Sequence, residues 1–310
     1  MTETSAESTE DEGTGAVVAA FAANLGIALM KFVGFAFTGS GAMLAEAVHS
    51  VADTGNEGLL MLGGRRARRD PDPRHPFGYG RERYFWAFIV SLLLFSVGGA
   101  FSIFDGIEKL LDPHTIESPG WAIGILLGAY ALESFSFRTA IRATREVKGS
   151  MGWWRFIRTA KTPELPVVLL EDLAALIGLS IAMLSIIAAE VTDNARYDAI
   201  GSLAIGVLLV IVAGILAREM RSLLLGESAS PDVVRRIVEA AEGDGNVCQV
   251  IHIRTEHLGP DELLVAAKIE FLHVLTVHEL SRAIDDVEAA VRAAVPEARV
   301  IYIEPDVARA

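Results

Sequence analysis

The sequence predicts a two-part protein, in which a membrane domain of six α-helices is followed by a small soluble α+β domain. Three observations support this fold class: the balance of apolar and charged residues, the length of the apolar segments, and a change of character after Arg218. Hydrophobic residues make up 52% of the 310 residues, and charged residues make up 22%. The mean hydropathy is +0.40 although charged residues still reach 22%, which indicates that charged and apolar residues are segregated along the chain.

Six apolar segments are each long enough to cross a bilayer, which takes about 20 helical residues. They lie near residues 15–38, 41–64, 84–107, 120–139, 167–190 and 197–217. We therefore assign residues 15–220 to an integral membrane domain. Residues 1–14 are rich in acidic and polar side chains, which is typical of a disordered tail and unlike a cleavable signal peptide.

Positive charge is concentrated in two connections between these segments. Residues 65–83 contain seven arginines, and residues 142–161 contain four arginines and two lysines. Because cytoplasmic loops carry such an excess, both connections are expected in the cytoplasm, and an even number of spans places both termini there. The expected location is the cell (inner) membrane. The net charge of -13 says little about nucleic acid, and no nucleic-acid partner is expected.

The region after Arg218 predicts the order helix, strand, strand, helix, strand. The predicted elements are 231–242, 247–255, 262–272, 276–295 and 299–303. Thr276 and Glu279 have the spacing of a capping box at the start of the second helix. This order predicts a small domain over residues 227–306, with both helices on one face of a sheet. Its exposed apolar sheet surface is expected to be covered by a second copy of the chain.

Ionisable residues inside the apolar segments are candidates for function. His49 and Asp53 are four residues apart in the second segment and therefore lie on one face of a helix. A polar pair at membrane depth costs several kcal/mol unless it faces a partner or a cavity. An imidazole and a carboxylate are half of a tetrahedral Zn²⁺ site, although the pair could instead hydrogen-bond two helices together. Glu133 and Arg138 in the fourth segment are interpreted as a structural pair.

Short motifs along nearly the whole chain are similar to those of one transporter family. They are Asn24, Lys31, Gly39-Ser40, Ala45-Glu46, His49 to Asp53, His75 to Arg81, Ile251 to Pro260 and Glu304-Pro305. In these motifs the chain resembles the cation diffusion facilitators. The resemblance implies a six-span homodimer with a cytoplasmic ferredoxin-like, metallochaperone-like C-terminal domain. It also implies export of Zn²⁺, or of Fe²⁺, Mn²⁺ or Co²⁺, in exchange for protons.

The resemblance also implies a transport site built from two residues of the second span and two of the fifth span. Carried over to this sequence, the metal ligands are His49, Asp53 and Asp172. The remaining position is occupied by Val168, which cannot bind a metal. Three protein ligands and a water still make a workable tetrahedral zinc site.

Several oxygen donors could supply the missing ligand. Glu171 is adjacent to Asp172 and diverges from it by about 100° around the helix, so it reaches the same ion only if the helix opens or rotates. Asn24 in the first span, and Glu46 and Asn56 near the second-span pair, are further candidates. The Glu171-Asp172 pattern is similar to the branch of the family related to mitochondrial zinc exporters of animals.

A site of this composition suits metal and proton exchange. Protonation of an imidazole or a carboxylate weakens metal binding, so a site exposed alternately to two sides can exchange metal for protons. One histidine among carboxylates favours Zn²⁺ over Mn²⁺ and Mg²⁺. Three ligands and an open position also describe a membrane-embedded zinc metalloenzyme. That alternative is disfavoured because the sequence offers no evident general base or hydrolase motif.

A second metal site is considered in the connection between the second and third spans. Asp72 and His75 match positions that bind metal in some relatives, but Tyr79 replaces the next histidine of the family pattern. The preferred interpretation is a rigid turn shaped by the surrounding residues Pro71, Pro73, Pro76 and Gly78.

Overall fold

The computed structural model describes residues 41–113 and 119–308, together with residues 21, 25–30, 32–33 and 36. The side chains of residues 41–49 and 95 lie outside this description. The chain divides into two compact units. The first unit consists of the residues up to Arg65 together with Phe85–Met220. The second unit consists of Arg66–Tyr84 together with Arg221–Ala310.

The membrane part of the chain is helical. Its elements are α1 (Gly41–Ala67), α2 (Glu82–Leu93), a π-helical segment (Leu94–Ala100), α3 (Phe101–Leu111), α4 (Pro119–Lys148), α5 (Trp153–Thr159), α6 (Glu164–Thr192) and α7 (Arg196–Leu225). Within the described residues, four helical stretches are long and apolar enough to cross a membrane: Glu82–Leu111, α4, α6 and α7. The predicted segment 15–38 falls largely outside those residues, and α1 corresponds to segment 41–64. The count of six spans therefore stays a prediction.

Close packing between α3 and α7 depends on glycine. A Cβ atom at Gly106 would stand 2.8 Å from the backbone N of Leu203 and 3.0 Å from the carbonyl O of Ala199. The two backbones are therefore in direct contact, as is common where small residues line the interface between membrane helices. A second interface joins α4 to α6 through the apolar side chains Ala122, Leu126, Ala129, Leu179 and Ile186.

The C-terminal part has the predicted order of elements. They are α8 (Pro231–Glu242), β1 (Val247–Gly259), β2 (Glu262–Phe271), α9 (Val277–Ala294) and β3 (Val300–Pro305). The sheet has the order β1-β2-β3, with β1 antiparallel and β3 parallel to β2. The predicted capping box is confirmed, since Thr276 and Glu279 exchange hydrogen bonds at the start of α9.

One face of this sheet is covered by α8 and α9. Leu263, Val265 and Ile269 of β2 are buried against Ile237 of α8 and Val287 of α9. The alternate residues of β2 face the other side and are only partly buried. On that side Tyr302 of β3 is 58% exposed. The domain therefore has one closed face and one open face.

The connection between α1 and α2 packs on the β1-β2 hairpin within the second unit. A Cβ atom at Gly80 would stand 2.7 Å from the carbonyl O of Leu258 and 3.0 Å from Cα of Gly259. Arg81 forms an ion pair with Glu256. Nη1 of Arg83 lies 3.3 Å from Oδ2 of Asp261. The loop and the hairpin are thus joined by a backbone contact flanked by charged pairs.

Candidate metal site

A hydrogen bond joins α1 to α6 beside two of the predicted ligands. Nδ2 of Asn56 donates to Oε1 of Glu171 over 2.8 Å, and Asn56 is 1% exposed. Asn56 is one helical turn after Asp53, and Glu171 immediately precedes Asp172. The carbonyl oxygen Oδ1 of Asn56 is buried and accepts no hydrogen bond from the residues the structure describes.

Asp172 lies among polar groups from three helices. Its Oδ2 accepts a hydrogen bond from Oγ of Ser136 on α4, at 3.0 Å. The carboxylates of Glu133, Glu171 and Glu57 are close enough to act on Asp172 electrostatically. Several negative charges in a region of low dielectric repel one another, and a bound cation would relieve that repulsion.

The structure describes only part of the predicted ligand set. Oδ1 of Asp53 is buried within the membrane unit. The backbone of His49 belongs to α1, but its side chain and that of Glu46 lie outside the described residues, as does all of Asn24. Within the described part of the chain, no group of three or more His, Cys, Asp or Glu side chains could hold a metal ion. The set His49, Asp53 and Asp172 therefore stays a prediction.

The expected pairing of Glu133 with Arg138 is wrong. Arg138 makes no ion pair with any described residue, whereas the charge of Glu133 acts on Asp172. The two residues are five positions apart on α4, which separates them by about 140° around the helix.

Sequence reasoning also missed Ser136, which contacts Asp172. Ser136 follows Glu133 by three residues, so the two polar side chains share one face of α4. That spacing in an otherwise apolar span was the available signal.

Both oxygens of the Asp72 carboxylate accept hydrogen bonds within its own loop. Oδ1 accepts from the backbone N–H groups of Arg74 at 2.8 Å and His75 at 2.7 Å. Oδ2 accepts from the Tyr79 hydroxyl at 2.6 Å. These bonds, that of Tyr79 above all, lower the pKa of Asp72 to about 2. With both oxygens engaged, the geometry supports the rigid turn rather than a second metal site at Asp72 and His75.

We expect Asp72→Asn to lower the pKa of Tyr79. The hydrogen bond to Asp72 and its negative charge raise the pKa of this phenol above its ordinary value of 10.0, so removing the charge should return it toward that value. The measurement is an alkaline titration of tyrosinate absorbance, with Tyr79→Phe identifying the contribution of Tyr79. Asp70→Asn is the matched control. An unchanged Tyr79 titration in Asp72→Asn would show that the hydrogen bond is not formed in solution.

Comparison with known proteins identifies the membrane part of the chain. Residues 17–225 match the cation efflux transmembrane domain. The human proton-coupled zinc antiporter SLC30A9, mitochondrial, is 35% identical over 244 residues, which cover 78% of this chain and 43% of that protein. Metal tolerance protein C4 of Arabidopsis thaliana is 31% identical over 258 residues, which cover 83% of this chain and 56% of that protein. The chain thus spans about half the length of these curated relatives.

Solved structures similar to this chain include the C-terminal domain of the magnetosome protein MamM. The C-terminal domain of a MamM variant in a nickel form is 26% identical, with a TM-score of 0.25, and covers 26% of this chain and 100% of that chain. MamM of Magnetospirillum gryphiswaldense is 24% identical over 237 residues, covering 75% of this chain and 69% of that protein. The cation efflux transmembrane domain matches more than half of the residues of this chain. The chain therefore belongs to the cation efflux family, the cation diffusion facilitators.

Proposed function

We propose that this protein exports Zn²⁺ from the cytoplasm in exchange for protons. Membership of the cation efflux family supports a secondary transporter over a membrane-embedded metalloenzyme. The observation that carries the proposal is the Asn56-Glu171 hydrogen bond, which joins α1 to α6 next to Asp53 and Asp172. Similarity to a proton-coupled zinc antiporter favours Zn²⁺ over Fe²⁺, Mn²⁺ and Co²⁺.

In the proposed site, His49, Asp53 and Asp172 bind the ion and water fills the position facing Val168. An imidazole with two carboxylates and one water is a tetrahedral set that zinc accepts and that leaves one position open for exchange. Glu171 is already engaged by Asn56, which supports a role in joining the helices rather than in binding the ion. Protons compete for the same three side chains, which couples the two fluxes.

The proposed assembly is a homodimer in the cell membrane. Each copy of the chain has six spans, and both of its termini lie in the cytoplasm. The open face of the sheet, where Tyr302 is 58% exposed, supports docking of a second C-terminal domain. The arginine-rich connections 65–83 and 142–161 support the orientation.

The test is a flux assay with the purified full chain in proteoliposomes. Vesicles are loaded with a pH-sensitive dye and exposed in turn to Zn²⁺, Fe²⁺, Mn²⁺, Co²⁺ and Mg²⁺. We expect Zn²⁺ to give the fastest flux, protons to move in the opposite direction, and an imposed opposing proton gradient to accelerate the metal. Zinc flux insensitive to the gradient would indicate a uniporter. Protein that moves none of the ions would overturn the proposal altogether.

Val168→His is expected to tighten zinc binding by adding an imidazole one helical turn before Asp172. The four-residue spacing on α6 places the new ligand on the same face, so the site would gain a fourth protein ligand in place of water. We expect affinity to rise by roughly tenfold or more, with slower turnover because the ion leaves more slowly. Isothermal titration with Zn²⁺ measures the affinity, and Val168→Leu is the control for a change of bulk without a ligand.

An unchanged affinity in Val168→His would mean that another residue already fills the fourth position. Comparison of Glu171→Gln with Asn24→Ala and Asn56→Ala would then identify it. A fall in affinity in Glu171→Gln alone would assign the ligand to Glu171, and a fall in Asn56→Ala alone would assign it to the buried Oδ1 of Asn56.

A further inference from the structure

Basic side chains follow one face of the last turns of α4. They recur at spacings of four, three and three residues, which confines them to an arc of about 120° around the helix. These residues are Arg138, Arg142, Arg145 and Lys148. α4 is 30 residues long, or about 45 Å, whereas the hydrocarbon core of a bilayer is about 30 Å thick. The end that carries the charges therefore reaches the headgroup region.

We name residues 138–161 the basic segment. It contains seven basic residues and one acidic residue, Glu146. Within the described chain, Arg138, Arg142, Arg145 and Arg155 have no ion-pair partner. Near the end of the segment, Nε of Arg158 lies 3.7 Å from Oε1 of Glu219. Most of its arginines are thus available to an external anion.

The same segment has the aromatic residues of a membrane interface. The short helix α5 buries Phe156 and Ile157, whereas Trp153 is 37% and Trp154 56% exposed. Nζ of Lys148 lies 5.0 Å from the ring centroid of Trp153, within the range of a cation–π contact. Tryptophan is enriched at the boundary between hydrocarbon and headgroups, where its apolar ring and its N–H are both satisfied. Cation and aromatic ring are therefore held side by side at the same level.

We propose that the basic segment binds anionic phospholipid headgroups at the membrane surface. Arginines at the end of a membrane helix meet phosphate at the depth where lipid headgroups lie, and guanidinium and phosphate form strong paired hydrogen bonds. Trp153 and Trp154 are placed to insert between the acyl chains of the same lipids. The site lies on the α4-α6 connection and does not depend on which ion the protein transports.

The experiment uses the full chain in vesicles, with Trp86→Phe and Trp121→Phe introduced so that only Trp153 and Trp154 emit. Phosphatidylcholine vesicles contain the same mole fraction of either brominated phosphatidylglycerol or brominated phosphatidylcholine. The acyl chains of the two quenchers are identical, so the comparison isolates the headgroup. We expect quenching by brominated phosphatidylglycerol to be roughly twofold stronger, because the arginines enrich the anionic lipid around the two tryptophans.

Arginine variants test whether these charges cause the preference. Replacing Arg142, Arg145 and Arg155 together with glutamine should bring the two quenchers to equal strength. The matched control replaces Arg235, Arg282 and Arg292 of the C-terminal domain and removes the same charge, so it should retain the preference. Raising the salt concentration should weaken the preference in the parent protein.

Three outcomes would overturn the proposal. Equal quenching by both lipids in the parent protein would show that the segment does not select anionic headgroups, and this comparison requires no arginine variant to fold. Quenching by neither lipid would show that the tryptophans face water or a protein partner. A preference that survives in the triple variant would place the anionic site elsewhere. None of these readouts requires metal transport.

Discussion

Zinc flux is expected to fall to background when Asp172 or Asp53 is replaced with alanine. Each change would leave only two of the three proposed protein ligands, and removing even a residue that merely supports a metal ligand lowers affinity by about 10- to 100-fold. We therefore expect a loss of more than roughly 100-fold, measured as initial zinc flux in proteoliposomes. Asp172→Ala should still fold, because it removes a carboxylate that is repelled by Glu133, Glu171 and Glu57.

Two controls separate a lost ligand from a damaged fold. Glu190→Gln removes an exposed carboxylate near the end of the same helix α6, and it should transport at the native rate. Ser136→Ala removes the hydrogen bond to Asp172 but no ligand, so its effect should be intermediate. Native flux in Asp53→Ala or Asp172→Ala would show that the proposed site is wrong.

The C-terminal domain was largely predictable because its signals are local. The Thr276-Glu279 capping box depends only on neighbouring positions, and the predicted α8 has the observed bounds. Strand β1 is longer than predicted, since it ends at Gly259 rather than near residue 255. Its last residues pair with the start of β2 and pack on Gly80, a contact distant in sequence that no local pattern reveals.

The contacts around Asp172 could not be predicted in the same way. Helical periodicity identifies residues that share a face, as it does for His49 and Asp53, but it does not say which helices are neighbours. The Asn56-Glu171 bond joins residues 115 positions apart, and the Ser136-Asp172 bond joins residues 36 positions apart. The family resemblance placed the metal ligands on the second and fifth spans. It did not indicate that Ser136 and Glu133 of the fourth span act on Asp172.

Gly80→Ala is expected to separate the α1-α2 connection from the β1-β2 hairpin. The added Cβ would lie 2.7 Å from the carbonyl O of Leu258 and 3.0 Å from Cα of Gly259, and backbone atoms cannot rotate away as a side chain can. Overpacking of this kind costs about 1–3 kcal/mol. For a unit of about 100 residues we expect the melting temperature to fall by roughly 4 °C or more. Thermal unfolding measures the loss, and hydrogen exchange should increase in residues 66–84.

Comparison with the neighbouring ion pair shows which contact holds the loop. Arg81 and Glu256 are 42% and 39% exposed, so their pair is screened by solvent and worth about 0–1 kcal/mol. Arg81→Ala should therefore destabilise the protein less than Gly80→Ala. Gly245→Ala is the matched control, because a Cβ there meets nothing within 4 Å. If Gly80→Ala had the same melting temperature as Gly245→Ala and left hydrogen exchange in residues 66–84 unchanged, the backbone contact would not be present in solution. If Arg81→Ala lowered the melting temperature more than Gly80→Ala, the ion pair would hold the loop instead.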